Sequence, residues 1–304
     1  MEEKHLHLQA KHEPWSRKRA DGMIALISVA WGSSYLLMKI GLDSIPPYSL
    51  VAMRFGIAFT AVALLFWKEL KRTTWKMLGH AAILGVLLFT VFAFLMHGLE
   101  TTSASSAGFL TSTTVVLVPI FHAVLQRKLP EKAIILGMLI TMTGIGLLTL
   151  QDSLSFHSGD LLCLGGAAAY ATHILLTDRL TQEDDGLLLG VWQLAFVALY
   201  GLVCTLLFEQ PKIPSSPQEW IAILGLALIC SSFGFVVQPI AQKYTTPEHT
   251  SLLFSLEPVS SAVLAFLFLH EMLNIKGYLG AALVLMGVIV ASMLSEKGAK
   301  LQSE

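Results

Sequence analysis

Charge is what this chain has least of. Only 13% of its 304 residues are Asp, Glu, Lys or Arg, against 54% hydrophobic; a soluble domain of this length carries roughly twice that charged share. The net charge of −1 argues against a nucleic-acid partner. Cysteine is scarce too: Cys163, Cys204 and Cys230 show no CxxC spacing and all fall in apolar runs, so neither a disulfide framework nor a zinc site is expected. No GxxxxGK[ST] loop is present to drive anything with ATP. His270-Glu271 continues as Met-Leu-Asn, so HExxH is absent, as is GxSxG. Asp152, Asp160 and Asp178 all sit at the ends of apolar runs, which leaves no mid-span aspartate pair for an intramembrane protease. An enzyme is not expected, nor a cofactor. Three histidines in the tail HLHLQAKH (His5, His7, His12) are weak grounds for a metal.

Long apolar runs take the place of what is missing. Mean hydropathy is +0.67, and runs of about 20 apolar residues match a hydrocarbon core of about 30 Å at 1.5 Å rise per residue. Marking each run gives an all-α polytopic membrane protein of ten spans, at 22–41, 47–67, 77–98, 105–125, 132–151, 159–178, 186–208, 219–240, 249–270 and 275–294. No alternating ten-residue strand pattern supports a barrel. The tail 1–21 is polar, with no small-residue cleavage site behind a short apolar core, so the first span is read as retained. With the N-terminus inside, sixteen Lys and Arg fall on the cytoplasmic side and only Lys212 and Lys276 opposite, a strong positive-inside bias. Both termini, 1–21 and 295–304, are expected in the cytoplasm of a bacterial inner membrane.

The chain also repeats. An offset of 139 lays Trp31-Gly32-Ser33-Ser34 on Tyr170-Ala171-Thr172-His173, Arg54 on Gln193 and Pro119 on Pro258. Ile83-Leu84-Gly85 meets Ile223-Leu224-Gly225 at 140, and Gly137 and Gly144 meet Gly280 and Gly287 at 143. Five spans per half, 22–151 and 159–294, oblige the second half to enter the membrane in the opposite sense. Such inverted repeats are a common plan of secondary transporters, with substrate held near the midplane between halves.

Several stretches then carry a family resemblance: AWGSSYLLMKIGL in the first span, Arg54 early in the second, SAGFLTSTTVVLVPI into the fourth, and EPVSSAVLAFLFLHEMLNIKGYLGAALVLMGV across the ninth and tenth. In this order they resemble the EamA-type transporters of the drug/metabolite transporter superfamily, over residues 22–294. The resemblance implies a 5+5 inverted repeat around a central cavity, and export of small metabolites such as amino acids or drugs. Glu271 has Lys128 at the equivalent place in the first half, so it is read as orienting the turn into the tenth span.

Trp31 and Tyr170 lie about mid-membrane, each followed by hydroxyls or an imidazole: Ser33 and Ser34, Thr172 and His173. A ring beside a hydroxyl offers a stacking face and a hydrogen bond to a small amphipathic solute; ordinary helix packing is the competing reading. Gln238 is a further lining candidate, as is His97. Glu257 is the sharpest. A mid-bilayer carboxylate costs roughly 2.5–3.5 kcal/mol on insertion scales, so it must face protein or water, either as a coupling or substrate-amine site or as a structural partner of Arg54 or Lys39. Pro258 removes the donor that would serve the Phe254 carbonyl, which is tolerated only beside protein or a watery cavity; Pro119 is its counterpart. Arg54, His173 and Glu257 are the coupling candidates, with the proton as the first ion considered. The four repeat glycines place a small-residue face on each of two spans, for packing within the chain or across a homodimer. A passive channel or a binding-only sensor of a small metabolite is the alternative.

Overall fold

The computed structural model describes residues 15–102, 104–149, 158–269 and 274–301. His5, His7, His12, Asp152 and Glu271 lie outside them. The described residues hold helices and no strand. In chain order these are α1 (Arg17–Trp31), α2 (Ser34–Leu42), α3 (Pro47–Leu65), a short α4 (Trp67–Leu70), α5 (Trp75–Thr101), α6 (Ala104–Ser112), α7 (Thr114–Gln126) and α8 (Lys132–Thr149). The second half follows with α9 (Ser158–Glu183), α10 (Gly186–Phe208), α11 (Pro217–Leu224), a π-helical stretch (Gly225–Phe233), α12 (Gly234–Gln242), α13 (Pro247–Phe254), α14 (Leu256–Leu269) and α15 (Ile275–Leu301).

Among the described residues, seven helical stretches are long and apolar enough to cross a membrane: Arg17–Leu42, Pro47–Leu65, Trp75–Thr101, Ala107–Gln126, Ser158–Glu183, Gly186–Phe208 and Pro217–Gln242. Lys132–Leu147 and Ile275–Ala291 are apolar but shorter, and α13 with α14 covers the expected ninth span in two pieces. The first helix starts at Arg17, earlier than its apolar run, because the Ser16 hydroxyl accepts from the Arg19 N–H and Arg17 pairs with Asp21 one turn on. Thr74, Asp185, Ser216 and Thr246 start other helices in the same manner, each side chain accepting from a first-turn N–H. Large apolar side chains such as Val124, Leu125, Leu206, Leu207 and Phe208 remain exposed, as they would on a face that meets lipid.

Packing between the halves is reciprocal. The third stretch of the first half, α5, lies along α9, the first of the second; α1 in turn lies against α12 and the π stretch. Helix α3 packs on α10, and α8 on α15. A Cβ on Gly137 would fall 2.6 Å from the Cβ of Ala291, and one on Gly144 would fall 2.7 Å from the Gly280 oxygen. Those two contacts fix α8 and α15 as antiparallel and in backbone contact, so the glycine faces pack within the chain.

Candidate functional site

Four interruptions surround one place in the bundle. Gly32 and Ser33 separate α1 from α2, Thr113 separates α6 from α7, Ser255 separates α13 from α14, and the π stretch joins α11 to α12. The last two have a reason in the sequence or geometry: Pro258 has no N–H for the carbonyl one turn back, and a π turn shifts the hydrogen-bond ladder by a residue. Side chains from elsewhere take up carbonyls at these interruptions. The Ser28 hydroxyl donates to the Leu253 carbonyl at 2.9 Å, and the Trp31 Nε1–H to the Cys230 carbonyl at 2.8 Å. The Gln193 amide donates to the Phe235 carbonyl at 2.7 Å. Irregular backbone at membrane depth is thereby satisfied by protein.

Between these interruptions lies an open cavity with about 430 Å³ of space between atoms, solvent at its mouth included. Trp31, Tyr170, Phe92 and Phe235 wall it, with Ser34 and Tyr35 on one side; Arg54 and Glu257 supply the charge. The aromatic wall is continuous: Trp31 lies 6.1 Å from Tyr170 edge-on and 4.8 Å from Phe235 between ring centroids, and Phe92 meets Phe235 edge-on at 5.7 Å. Gly32 makes the crossing beside it, since a Cβ there would fall 2.7 Å from the Cβ of Ser260 and from the Ser261 nitrogen.

Arg54 is 1% exposed. Its Nε–H donates to the Ser231 hydroxyl at 2.6 Å and its guanidinium lies 4.4 Å over the Phe92 ring, while Nη1 has no hydrogen-bond partner. This arginine turns inward and meets hydroxyl and aromatic groups. Glu257 is half-buried and also lines the cavity. The two attract each other electrostatically, yet no described salt bridge within 4.0 Å contains either. A guanidinium and a carboxyl group thus face one aromatic chamber without meeting in an ion pair.

A second chamber of about 300 Å³ adjoins the first, sharing Thr111, Tyr170 and Glu257 with it. Ser112, Thr114, Ser251 and Ser255 bring hydroxyls to its wall, beside the apolar Val115 and Phe254.

The other sequence candidates are spread around these chambers. Ser33 donates to the Ala30 carbonyl at 2.8 Å in the turn between α1 and α2. Thr172 is exposed on the outer face of α9 and donates to its own helix at Ala168. His173 is fully buried behind Tyr170, ring centroids 5.8 Å apart, with Nε2 2.9 Å from the Gln193 oxygen. Gln238 accepts a long 3.5 Å bond from the Tyr170 hydroxyl and donates to Gln242, which donates to the Ile174 carbonyl. Pro119 lies inside α7 and Pro258 at the third position of α14. Lys39 is exposed near the end of α2, and His97 bonds its own helix beside the Tyr48 ring. Tyr35 and Phe235 were not singled out by sequence, though Tyr35 lies inside the quoted first-span run; Phe92, in a run with Phe89 and Phe94 that reads as lipid-facing or core, is buried and lines the cavity.

Below the chambers, the end of the bundle that carries the basic residues is held by contacts between the two halves. Arg72, Lys76 and His80 meet Asp185, Glu183 and Asp184 at 3.8, 2.8 and 2.5 Å. His122 meets Glu248, and Asp21 meets His249 at 3.3 Å and the Thr245 hydroxyl at 2.9 Å. Trp15 stacks on Tyr244.

The EamA-like transporter family matches this chain twice, over residues 18–150 and 157–293. An uncharacterized transporter of Archaeoglobus fulgidus is 29% identical over 94% of this chain and 89% of its own. A Salmonella typhimurium protein described as a "probable amino-acid metabolite efflux pump" is 26% identical over 90% of this chain and 94% of its own. One solved crystal structure superposes with a TM-score of 0.79 at 21% identity, covering 93% of this chain and 99% of that one, a likeness of fold.

Proposed function

Because this chain belongs to the EamA-like transporter family, we propose that it is a secondary active exporter of small metabolites, amino acids foremost, working by alternating access of its two repeats. In this reading the ten apolar runs all cross the bacterial inner membrane, both termini are cytoplasmic, and the repeats are inverted. The antiparallel crossing of the equivalent helices α8 and α15 supports the inversion, since two copies in the same sense would bring those helices in parallel.

The observation that carries the reading is the separation of Arg54 from Glu257 across one aromatic chamber. An α-amino acid brings a carboxylate and an ammonium on one carbon. Arg54 Nη1 would receive the first and Glu257 the second, with Trp31, Tyr170, Phe92 and Phe235 around an apolar side chain. A substrate that supplies both charges neutralises two groups that would otherwise stay costly at this depth. The lining residues run toward the end opposite the basic loops, and the contacts between halves close the basic end. An outward-facing state fits that arrangement. Glu257 is the coupling site, where a bound ion and the ammonium of the substrate exchange.

Uptake into everted vesicles tests this. Labelled amino acids, nucleosides and a lipophilic drug are offered with an imposed ion gradient, wild type beside Glu257→Gln. The expected outcome is gradient-dependent accumulation of apolar amino acids by wild type and only gradient-independent exchange by the variant. A folded Glu257→Gln protein that still couples fully would remove Glu257 from the mechanism. Solute flux that neither saturates nor shows counterflow would replace the carrier by a channel.

A further inference from the structure

The hydroxyl-lined second chamber is unused by a substrate seated among the aromatic rings. All but one of its hydroxyls, that of Thr111, share one property. Ser112 donates its proton to the Gly108 carbonyl at 2.7 Å, Thr114 to the Thr111 carbonyl at 2.7 Å and Ser251 to the Glu248 carbonyl at 2.9 Å, while Ser255 donates to the Leu252 carbonyl. Tyr170 donates away from the chamber, toward Gln238. With these protons committed to backbone or amide oxygen, what Ser112, Thr114, Ser251, Ser255 and Tyr170 present to the chamber is lone pairs; Thr111, also on the wall, is the one whose hydroxyl has no hydrogen-bond partner. Glu257 adds a carboxylate that is in no described salt bridge. A water here would satisfy its two protons and leave its own oxygen with few donors. A bare cation needs no donor at all.

We propose that the second chamber is an alkali-metal cation site, formed by the Glu257 carboxylate and the hydroxyl oxygens of Ser112, Thr114, Ser251 and Ser255, and that this cation is the coupling ion. Hard oxygen ligands select a hard cation, and one carboxylate matches a single positive charge better than two. Among the described residues no three His, Cys, Asp or Glu side chains gather as a transition metal requires. Glu257 lines both chambers, so the cation on one side and the substrate ammonium on the other compete for one carboxylate. Competition for a shared counter-charge yields exchange: the cation enters as the amino acid leaves. The inference rests on Glu257 being the coupling site of an exporter.

Thermal unfolding of the purified full chain in detergent tests the site without any transported solute. NaCl, KCl and choline chloride are titrated at equal total ionic strength. One alkali chloride is expected to raise Tm saturably, by about 3 °C or more at high occupancy, while choline chloride does not. Ser251→Ala with Ser255→Ala is expected to raise the half-saturating concentration about tenfold or more, and Glu257→Gln to abolish the shift. Saturating leucine should raise the apparent cation constant in wild type. Coincident curves for the three salts overturn the proposal. So does a stabilisation that follows pH alone and vanishes in Glu257→Gln, which would make the proton the occupant. Gradient-driven leucine uptake into vesicles free of sodium and potassium would likewise remove the metal ion and leave the exporter reading intact; absence of any uptake in the vesicle panel would fall on the exporter reading instead.

Discussion

At the scale of single residues, the membrane makes charge informative. Arg54 and Glu257 stood out in the sequence because each is costly inside an apolar run, and both line the cavity. Trp31 and Tyr170 stood out because the repeat superposes them. Other residues were illegible for a plain reason: an aromatic ring in an apolar span reads the same whether it meets lipid or a cavity. Phe92 carries the guanidinium of Arg54 while Phe94, two positions on, faces outward. Thr172 shows the converse, since two residues from Tyr170 on a helix is nearly the opposite face. The role given to Arg54 is testable by shape as well as charge. Arg54→Lys keeps the charge but gives up the planar group that lies on Phe92 and donates through Nε to Ser231. The half-saturating concentration of an apolar amino acid in counterflow is expected to rise about tenfold for Arg54→Lys and about a hundredfold for Arg54→Gln. Equal constants in wild type and both variants would place the carboxylate elsewhere.

At the scale of elements, the apolar runs located the helices well and their interruptions poorly. Pro258 marked a disturbance, which is realised three residues earlier as the break at Ser255. Nothing local announces the break at Thr113, six residues ahead of Pro119, or the π turns of Gly225–Phe233. Both depend on partners distant in sequence: Trp31 takes the Cys230 carbonyl inside the π stretch, and Thr114 reaches toward the Ala167 carbonyl of α9 at 3.4 Å. Gly32 is legible in hindsight as the crossing of α1 with α14. Because the atoms a Cβ would meet include the Ser261 backbone nitrogen, no rotamer change can make room and the helices must part. Overpacking of that kind costs about 1–3 kcal/mol. Gly32→Val is expected to lower Tm and to depress exchange more than its folded fraction accounts for, because the displaced α14 carries Glu257. Retention of wild-type Tm and exchange would mean the crossing is loose.

At the scale of the whole molecule, the two halves touch through different chemistry at their two ends, and the proposed alternating access would draw on that difference. At the basic end, His122–Glu248, His249–Asp21 and His80–Asp184 join the halves together with the more exposed pairs of Arg72 and Lys76. Lys76 and Glu183 are both about half exposed, so solvent screens them and they add little. The partly buried His80–Asp184 and His122–Glu248 contacts carry more of the closure as hydrogen bonds, about 0.5–1 kcal/mol each. At the opposite end Glu209 receives the Tyr48 and Ser49 N–H groups at 2.8 and 2.9 Å, which ties α10 to the start of α3, and Asp160 at the start of α9 accepts from the Thr102 hydroxyl after α5 at 2.5 Å. The five pairs at the basic end, against the hydrogen bonds of Glu209 and Asp160 at the other, would bias the protein toward the state with the basic end shut. Asp184→Asn with Glu248→Gln removes two of the pairs, and the equilibrium should move about 5- to 30-fold toward opening of that end. A cysteine at Ser251, on the second chamber, reports it in a background lacking Cys163, Cys204 and Cys230. In everted vesicles its labelling by a membrane-impermeant thiol reagent is expected to rise by that factor in the double variant. Unchanged labelling in a folded double variant would mean that the pairs only decorate the surface and that closure is held by packing of Trp15 on Tyr244 and the helices beneath it.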